Sequence, residues 1–253
     1  LSYGVAQGQL RQIKIENMSL QNTDWSATHR SVAEIKPGIS VVAVAPGEGL
    51  SELFMDGGCV GVVSGGQTMN PSVRQLIDAV EATCTSDVII LPNNKNILLT
   101  AEQAAQSELG GHTIHVISTK TIPQGVAAML AFNAAGSLGD SVQAMAAASE
   151  SVVTVEVTLA VRNTTVGGLN VEAGKYIGLL EGDLVVTADT PEQALIDCLQ
   201  QVGLTEDKIL TLYWGENSSA GQAEEVCHEL KMHVPGLQVD VFFGGQPHYP
   251  YLA

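Results

Sequence analysis

Aromatic residues are scarce in this sequence: they make up 4% of its 253 residues, against 45% for all hydrophobic types. Valine, isoleucine, leucine and alanine must therefore fill the core, which suits layered α/β structure better than an aromatic-rich β-sandwich. The sequence also has no apolar run close to the roughly 20 residues that cross a bilayer. We therefore predict no insertion into a membrane.

Basic residues are few as well, with 11 Lys and Arg against 27 Asp and Glu and a formal net charge of −16. Nucleic acids and anionic membranes are bound through basic surfaces, so this balance argues against both as main partners. The few bases become informative where they cluster near a candidate site.

Cysteine pairs are absent. Cys59, Cys84, Cys198 and Cys227 are scattered, without a CxxC motif. Each lies in or beside an apolar segment, so we predict buried free thiols rather than disulfides or metal ligands. This usage fits a reducing, cytoplasmic location best. The histidines also lack metal-ligand spacing, and we predict no metal site.

Nucleotide and hydrolase motifs are also missing. The sequence contains no GxGxxG fingerprint, no GxxxxGK[ST] phosphate loop and no GxSxG nucleophile motif. No pair of acids is placed by sequence for acid–base work. We therefore predict no catalytic residue and no cofactor site in this chain.

A repeated strand–helix pattern runs from Pro37 to about residue 149. Its first strand, Ile39–Ala45, is continuously apolar, which is typical of a strand covered on both faces. Strand and helix then alternate, which predicts a parallel sheet with right-handed crossovers.

The pattern changes after Glu150. The segment Val152–Val161 is rich in β-branched residues, and the short strands after it favour antiparallel pairing before one more α/β unit. We therefore predict an α/β fold of two lobes, a parallel doubly wound lobe over residues 37–140 and a mixed α/β lobe over residues 141–253.

The stretch Ser64–Ser72 joins an apolar strand to the helix that starts at Val73. Gly65 and Gly66 allow a sharp turn and a close approach, and Asn70 before a proline predicts the helix cap. The polar groups of Gln67, Thr68 and Asn70 would then gather at a strand's carboxyl end and a helix start, where ligands, anions above all, usually bind. A plain strand-to-helix turn is the equal alternative.

Four polar loops follow predicted strand ends, and the carboxyl ends of parallel strands meet at one edge of a sheet. Lys95 and Lys120 lie on these loops in an otherwise acidic chain, which suggests a site for an anion or an acidic partner. Solvated or helix-capping lysines are the alternative. The further candidate binding or recognition residues of these loops are Gly47, Glu48, Asn93, Asn94 and Thr121.

The second half echoes the first. Gly47-Glu48 and Gly65-Gly66-Gln67 in the first lobe are matched by Gly215-Glu216 and Gly244-Gly245-Gln246 in the second. If this is true pseudo-symmetry rather than chance or shared turn chemistry, Gly244, Gly245 and Gln246 face a cleft between the lobes. His248 follows this loop, and packing or interface use is favoured for it over catalysis.

Taken together, the motifs resemble a known family over about residues 37–253: the C-terminal region of the bacterial dihydroxyacetone-kinase-like proteins that include fatty acid kinase A. Residues 1–36 resemble the tail of that family's middle domain with a linker. The motifs that carry the resemblance are Gly47-Glu48-Gly49-Leu50, Gly65-Gly66-Gln67-Thr68-Met69-Asn70-Pro71-Ser72, Leu91-Pro92-Asn93-Asn94-Lys95-Asn96-Ile97, Thr119-Lys120-Thr121-Ile122-Pro123-Gln124-Gly125 and Gly244-Gly245-Gln246-Pro247.

The resemblance implies a DegV-like fold and the non-catalytic part of an ATP-dependent kinase. Such a part docks a DegV-like fatty-acid-binding protein while an ATP domain phosphorylates the acyl carboxylate for phospholipid synthesis. ATP and magnesium are expected only in that N-terminal domain, which is absent from this sequence. The alternative is a stand-alone DegV-like domain that binds a fatty acid or a small phosphorylated ligand between its lobes. Association of this chain with copies of itself is left open.

Overall fold

The computed structural model describes residues 35–67, 69–166 and 168–253. The described part from Ile35 to Ala253 forms one compact unit. The predicted middle-domain tail and linker, residues 1–36, lie outside the described part of the chain as far as Glu34, and Lys36 belongs to the first strand of the fold. Within the described part, no helix combines the length and the apolar character that crossing a membrane requires.

The first sheet has four parallel strands: β1 Lys36–Ala45, β2 Gly61–Ser64, β3 Thr85–Leu91 and β4 Thr113–Val116. They lie in the order β2-β1-β3-β4. The two central strands are buried, with Val41–Ala45 and Val88–Leu91 at most 1% exposed. A strand covered on both faces needs continuous apolar sequence, which both segments have.

Five helices cover this sheet on both sides: α1 Glu48–Asp56, α2 Val73–Glu81, α3 Lys95–Ala105, α4 Ile122–Leu130 and α5 Leu138–Glu150. Val41 and Ala43 pack with α1, α4 and α5 on one face. Val42 and Val44 pack with α2 and α3 on the other. Successive side chains of β1 thus pack into two different cores, one on each face of the sheet. The predicted doubly wound parallel sheet is confirmed. We call this sheet with α1–α5 the first lobe.

The second sheet has six strands: β5 Val155–Leu159, β8 Tyr176–Leu180, β9 Asp183–Ala188, β10 Ile209–Trp214, β11 Gln238–Phe243 and β12 Tyr251–Leu252. They lie in the order β11-β10-β12-β5-β8-β9, and only β10 and β11 pair in parallel. The other elements of this half are a hairpin, β6 Thr164–Val166 with β7 Leu169–Val171, and the helices α6 Pro191–Val202 and α7 Ala220–His233.

The predicted mixed α/β lobe is therefore confirmed, and we call the second sheet with α6 and α7 the second lobe. Tyr213 and Leu252 of this sheet share a core with α1, α4 and α5, so apolar packing continues from one lobe to the other. The predicted division between residues 140 and 141 stays a prediction.

Two local predictions were wrong. Helix α2 is capped by Ser72 and not by Asn70: Ser72 and Gln75 form a reciprocal capping box, and Asn70 is exposed in the preceding loop. The box satisfies the N–H groups of both Ser72 and Gln75, more than a lone Asn70 cap would. Cys84 is exposed rather than buried because it lies in the turn before β3. The other three cysteines are buried and free, as predicted.

Candidate functional site

A cavity of about 100 Å³ lies where the loops at the carboxyl edge of the first sheet meet the second lobe. We call it the cleft cavity. Three of the four predicted loops contribute to it, together with the segment that follows β11. Its lining comprises Val44, Pro46, Gly47, Ser64, Gly65, Gly66, Gln67, Met69, Pro92, Asn93, Asn94, Ile122, Glu156, Pro247, His248, Tyr249 and Leu252.

The Gly65 loop wraps closely over the end of β1. A Cβ added to Gly65 would lie 2.8 Å from side-chain atoms of both Pro71 and Val44, so the glycine serves close packing here. Gln67 accepts a hydrogen bond of 3.4 Å from the side chain of Asn96. Tyr249 of the second lobe lines the same cavity as Gln67. Thr68 lies outside the described residues.

Asn93 forms hydrogen bonds that join strand ends at this edge of the first sheet. It holds a left-handed φ of 55°, and its side-chain nitrogen donates to the carbonyl of Val44 at 3.0 Å. Its Oδ1 accepts from the Thr119 hydroxyl at 2.8 Å, and that hydroxyl accepts from the Asn93 N–H at 3.1 Å. Both side chains are buried. The hydrogen bonds of Asn93 therefore join the ends of β1, β3 and β4, and Thr119 is a partner that sequence reasoning missed.

Asn94 and Thr121 act as helix caps. The Asn94 side chain accepts from the N–H of Asn96 at 2.8 Å and starts α3. The Thr121 hydroxyl accepts from the N–H of Gln124 at 3.4 Å and starts α4. Since their oxygens satisfy N–H groups that a helix start leaves free, their local chemistry is accounted for by the fold.

The two predicted recognition lysines stand outside the cavity lining. Both are exposed. The Nζ atom of Lys95 reaches toward the β8–β9 turn, where a Cβ added to Gly182 would lie 3.8 Å from it. Lys120 uses its backbone N–H to donate to Gln124 at 2.8 Å. The structure thus places Lys95 near the second lobe, and an anion site at the two lysines stays a prediction.

Glu156 is the charged lining residue that sequence reasoning missed. It lies in β5, paired with Leu252 and Leu179, and it lines the cleft cavity. Burial raises the pKa of this carboxyl, the charge of Lys95 opposes the rise, and the charge of Glu181 adds to it. The pKa of Glu156 is therefore higher in the folded state than in the unfolded state. As the pH rises from the ordinary carboxyl pKa to the raised one, this residue lowers the free energy of unfolding.

Two loops named in the sequence echo, those at Gly47 and at Gly244-Gly245, are in contact through their backbones. We call this contact the seam. Gly47 has a φ of 81°, and a Cβ added to it would lie 2.3 Å from the carbonyl oxygen of Gly245. The N–H of Leu50 donates to the carbonyl of Gly244 at 2.9 Å. Glu48 is exposed beside the seam. The Gly47 and Gly245 loops are therefore in direct contact. These two loops are not matched to each other in the sequence echo, and the pseudo-symmetry stays a prediction.

Gln246 is a buried side chain beside the seam. It is fully buried, and its side-chain nitrogen donates to the carbonyls of Tyr213 at 3.1 Å and Tyr249 at 3.2 Å. Its Oε1 has no hydrogen-bond partner within the described part of the chain and packs against Gly244. His248 follows with a φ of 69° and lies exposed at the cavity, and its carbonyl accepts from Thr158 at 2.8 Å.

A larger apolar groove of about 360 Å³ runs along α4. Leu130, Val153 and Ile209 stand on it with 81%, 52% and 65% of their surfaces exposed. Lys208 is the one charged side chain among the described residues that line it. Large apolar side chains are seldom so exposed together. We call it the apolar groove. Its lining comprises Pro123, Val126, Ala127, Leu130, Ser151, Val152, Val153, Val155, Leu199, Val202, Leu204, Lys208, Ile209, Leu210, Thr211, Tyr213 and Ala253.

Among the residues that the structure describes, no three His, Cys, Asp or Glu side chains are grouped to hold a metal ion. Burial raises the pKa of the Cys59 thiol to about 12 and that of Cys198 to about 11, so both are protonated at neutral pH and are poor nucleophiles.

Comparison with known proteins bears on the fold and the family. Residues 40–253 match the FakA-like C-terminal family, whose description is that of the C-terminal part of fatty acid kinase A and similar proteins. The chain is 35% identical over its whole length to protein YloV of Bacillus subtilis and covers 46% of that protein. An uncharacterized protein of Staphylococcus epidermidis is 34% identical, and again 46% of it is covered. The chain thus spans about half the length of the relatives it matches.

Solved structures with the same fold are distant in sequence. A DegV family protein of Corynebacterium glutamicum superposes with a TM-score of 0.60 and 14% identity, over 85% of this chain and 94% of that one. The fatty acid kinase B3 protein of Streptococcus pneumoniae, solved with linoleic acid, superposes with a TM-score of 0.53 and 13% identity, over 85% and 97%. The predicted DegV-like fold is therefore confirmed.

Proposed function

This chain belongs to the FakA-like C-terminal family of fatty acid kinase, and we propose that it docks a fatty-acid-binding protein of DegV-like fold. In this proposal the docked partner presents the carboxylate of its fatty acid for phosphorylation with ATP, and the acyl phosphate supplies phospholipid synthesis. ATP and magnesium are held by a part of the longer relatives that this chain does not span.

The observation that carries the proposal is the character of the cleft cavity. At about 100 Å³ it is well below the 300–1,000 Å³ typical of pockets that enclose a ligand. Its lining contains a carboxylate, Glu156, which would repel the carboxylate of a fatty acid. The rim is exposed and partly apolar, with Met69 at 65% exposure. Such a surface suits contact with another protein better than enclosure of an acyl chain.

Binding to a fatty-acid-loaded DegV protein from the same organism tests the docking role. The substitution Met69→Glu places a charge on the cavity rim and is expected to weaken binding at least about tenfold. Met232→Glu is the matched control, because Met232 is 71% exposed in α7, whose residues do not line the cavity. Isothermal titration calorimetry of both variants measures the effect. Absence of binding by the unchanged chain, or equal affinities for the two variants, would contradict the proposal.

A second candidate function is direct binding of a fatty acid between the lobes, and the apolar groove favours it. Its volume of about 360 Å³ falls within the range of ligand pockets, and it lies between α4 of the first lobe and β10 of the second. The ammonium group of Lys208 could receive the carboxylate of an aliphatic acid whose chain covers Leu130 and Ile209.

Titration of the chain with oleate, and native mass spectrometry of the chain as purified, test this second function. If the groove holds the acyl chain, Ile209→Glu should reduce oleate affinity at least about tenfold, because it charges an apolar surface. Met232→Glu should leave the affinity unchanged. Equal oleate binding by the unchanged chain and Ile209→Glu would rule the groove out as the site.

A further inference from the structure

We propose that the cleft cavity receives a basic side chain of the partner protein, lysine or arginine, and that Glu156 is the carboxylate that pairs with it. This inference rests on the proposed docking function and names the chemistry by which the partner is recognised. The proposed site is negatively charged and binds a cation, whereas the lysines alone suggest a positively charged site that binds an anion.

The cavity has room for the end of one long charged side chain and not for an acyl chain. About 100 Å³ holds several water molecules, since one water needs roughly 10–15 Å³ on the same kind of measure. The lining combines the apolar residues Pro46, Ile122 and Leu252 with the acidic residue Glu156. Apolar walls suit the methylene stem of a long basic side chain, while the carboxylate suits its cationic end.

The carboxylate of Glu156 has capacity for such a partner. With the residues that the structure describes, it forms no hydrogen bond and no ion pair within 4.0 Å. Two charged groups act on it most, the ammonium of Lys95 and the carboxylate of Glu181. Two carboxylates against one ammonium leave the neighbourhood net negative.

Keeping an unpaired carboxylate in this position opposes folding, because the charge is partly removed from water without a cation in contact. A group that lowers the stability of the free protein is a candidate for function. An incoming guanidinium or ammonium group would restore the lost solvation. The formal net charge of −16 would also attract a basic partner surface before contact.

Affinity for the fatty-acid-loaded DegV protein, measured by isothermal titration calorimetry, tests the inference. Glu156→Gln keeps the shape of the side chain and removes the charge, and it is expected to weaken binding at least about tenfold. Glu225→Gln on α7 makes the same change of charge on an exposed residue that does not line the cavity, and it should bind like the unchanged chain. The midpoint of thermal unfolding of Glu156→Gln should not fall, which separates lost recognition from lost structure.

Replacement of Lys95 tests whether the partner group that binds in the cavity is positively or negatively charged. Because Lys95 partly neutralises Glu156, Lys95→Met should strengthen the binding of a basic side chain, whereas an acidic partner would bind more weakly. Lys231→Met in the last turn of α7 is the control. Weaker binding by Lys95→Met, or unchanged binding by Glu156→Gln, would overturn the inference while leaving docking itself intact.

A probe that needs no partner keeps the two proposals distinguishable. Nα-acetyl-arginine amide added to the chain should shift the NMR signals of residues at the cleft cavity in a saturable way, and Glu156→Gln should abolish the shifts. If the DegV protein does not bind but the probe does, the docking function fails and the cation site stands. If the probe shifts the same signals in Glu156→Gln as in the unchanged chain, the inference is wrong.

Discussion

Gly49→Ala is expected to lower the free energy of unfolding by about 3 kcal/mol, because it drives a methyl group into the backbone of the opposite lobe. The added Cβ would lie 2.2 Å from the carbonyl oxygen of Phe243 and 2.9 Å from its carbonyl carbon. Neither atom belongs to a side chain that could turn away. The adjacent hydrogen bond from Leu50 to Gly244, 2.9 Å long, would be stretched as the seam opens. Urea denaturation measures the loss as a shift of the midpoint.

Gly221→Ala provides the control for this prediction. Gly221 occupies the same second position of its helix, α7, as Gly49 does in α1, and nothing lies within 4 Å of the Cβ that alanine would add. Alanine should therefore stabilise the chain by about 0.5 kcal/mol through its lower entropy in the unfolded state. Equal urea midpoints for the two variants would show that the seam does not have the contact described.

Gly125→Ala is expected to destabilise the chain by about 2 kcal/mol, although alanine is the better helix former by about 1 kcal/mol. The added Cβ would lie 2.0 Å from Oδ1 of Asn93. Asn93 would have to move, and its buried hydrogen bonds to Val44 and Thr119 would be lost. The measurement is again the free energy of unfolding in urea.

A double-mutant cycle identifies the cause of that loss. Asn93→Gly keeps the left-handed backbone, since glycine accepts a φ of 55°, and removes the side chain that alanine would strike. In this background Gly125→Ala should be neutral or slightly stabilising, which gives a coupling of about 2 kcal/mol. Additive effects of the two substitutions would mean that Asn93 and Gly125 do not compete for the same space.

The strands and helices of the first lobe could be predicted because their patterns are local. Val41–Ala45 is continuously apolar, and a strand buried on both faces requires this. Strand β12 could not be predicted, since two residues, Tyr251 and Leu252, carry no period. Its place between β10 and β5 depends on pairing with strands far away in the chain. The capping of α2 by Ser72 was missed because Asn70 before a proline is also a good local signal.

The candidate site, too, was predicted from the sequence only in part. Sequence alone predicted that polar loops gather at the carboxyl edge of the parallel sheet, and the cleft cavity has Gly65, Gln67 and Asn93 in its lining. It did not predict that Asn93 would use its hydrogen bonds to hold the fold, or that an acidic residue of the other lobe would line the cavity. Glu156 lies between two buried valines of β5, a pattern that by itself indicates a solvent-facing position.

Fold class and the edge of the sheet where the loops meet follow from the sequence, because apolar period and turn chemistry are properties of short segments. The family was indicated by the resemblance of the sequence motifs. The sign of the charge in the cleft and the contact across the seam follow only from the packed structure. Both depend on residues about 90 to 200 positions apart, Gly65 with Glu156 and Gly47 with Gly245, that the packing of one lobe on the other brings together.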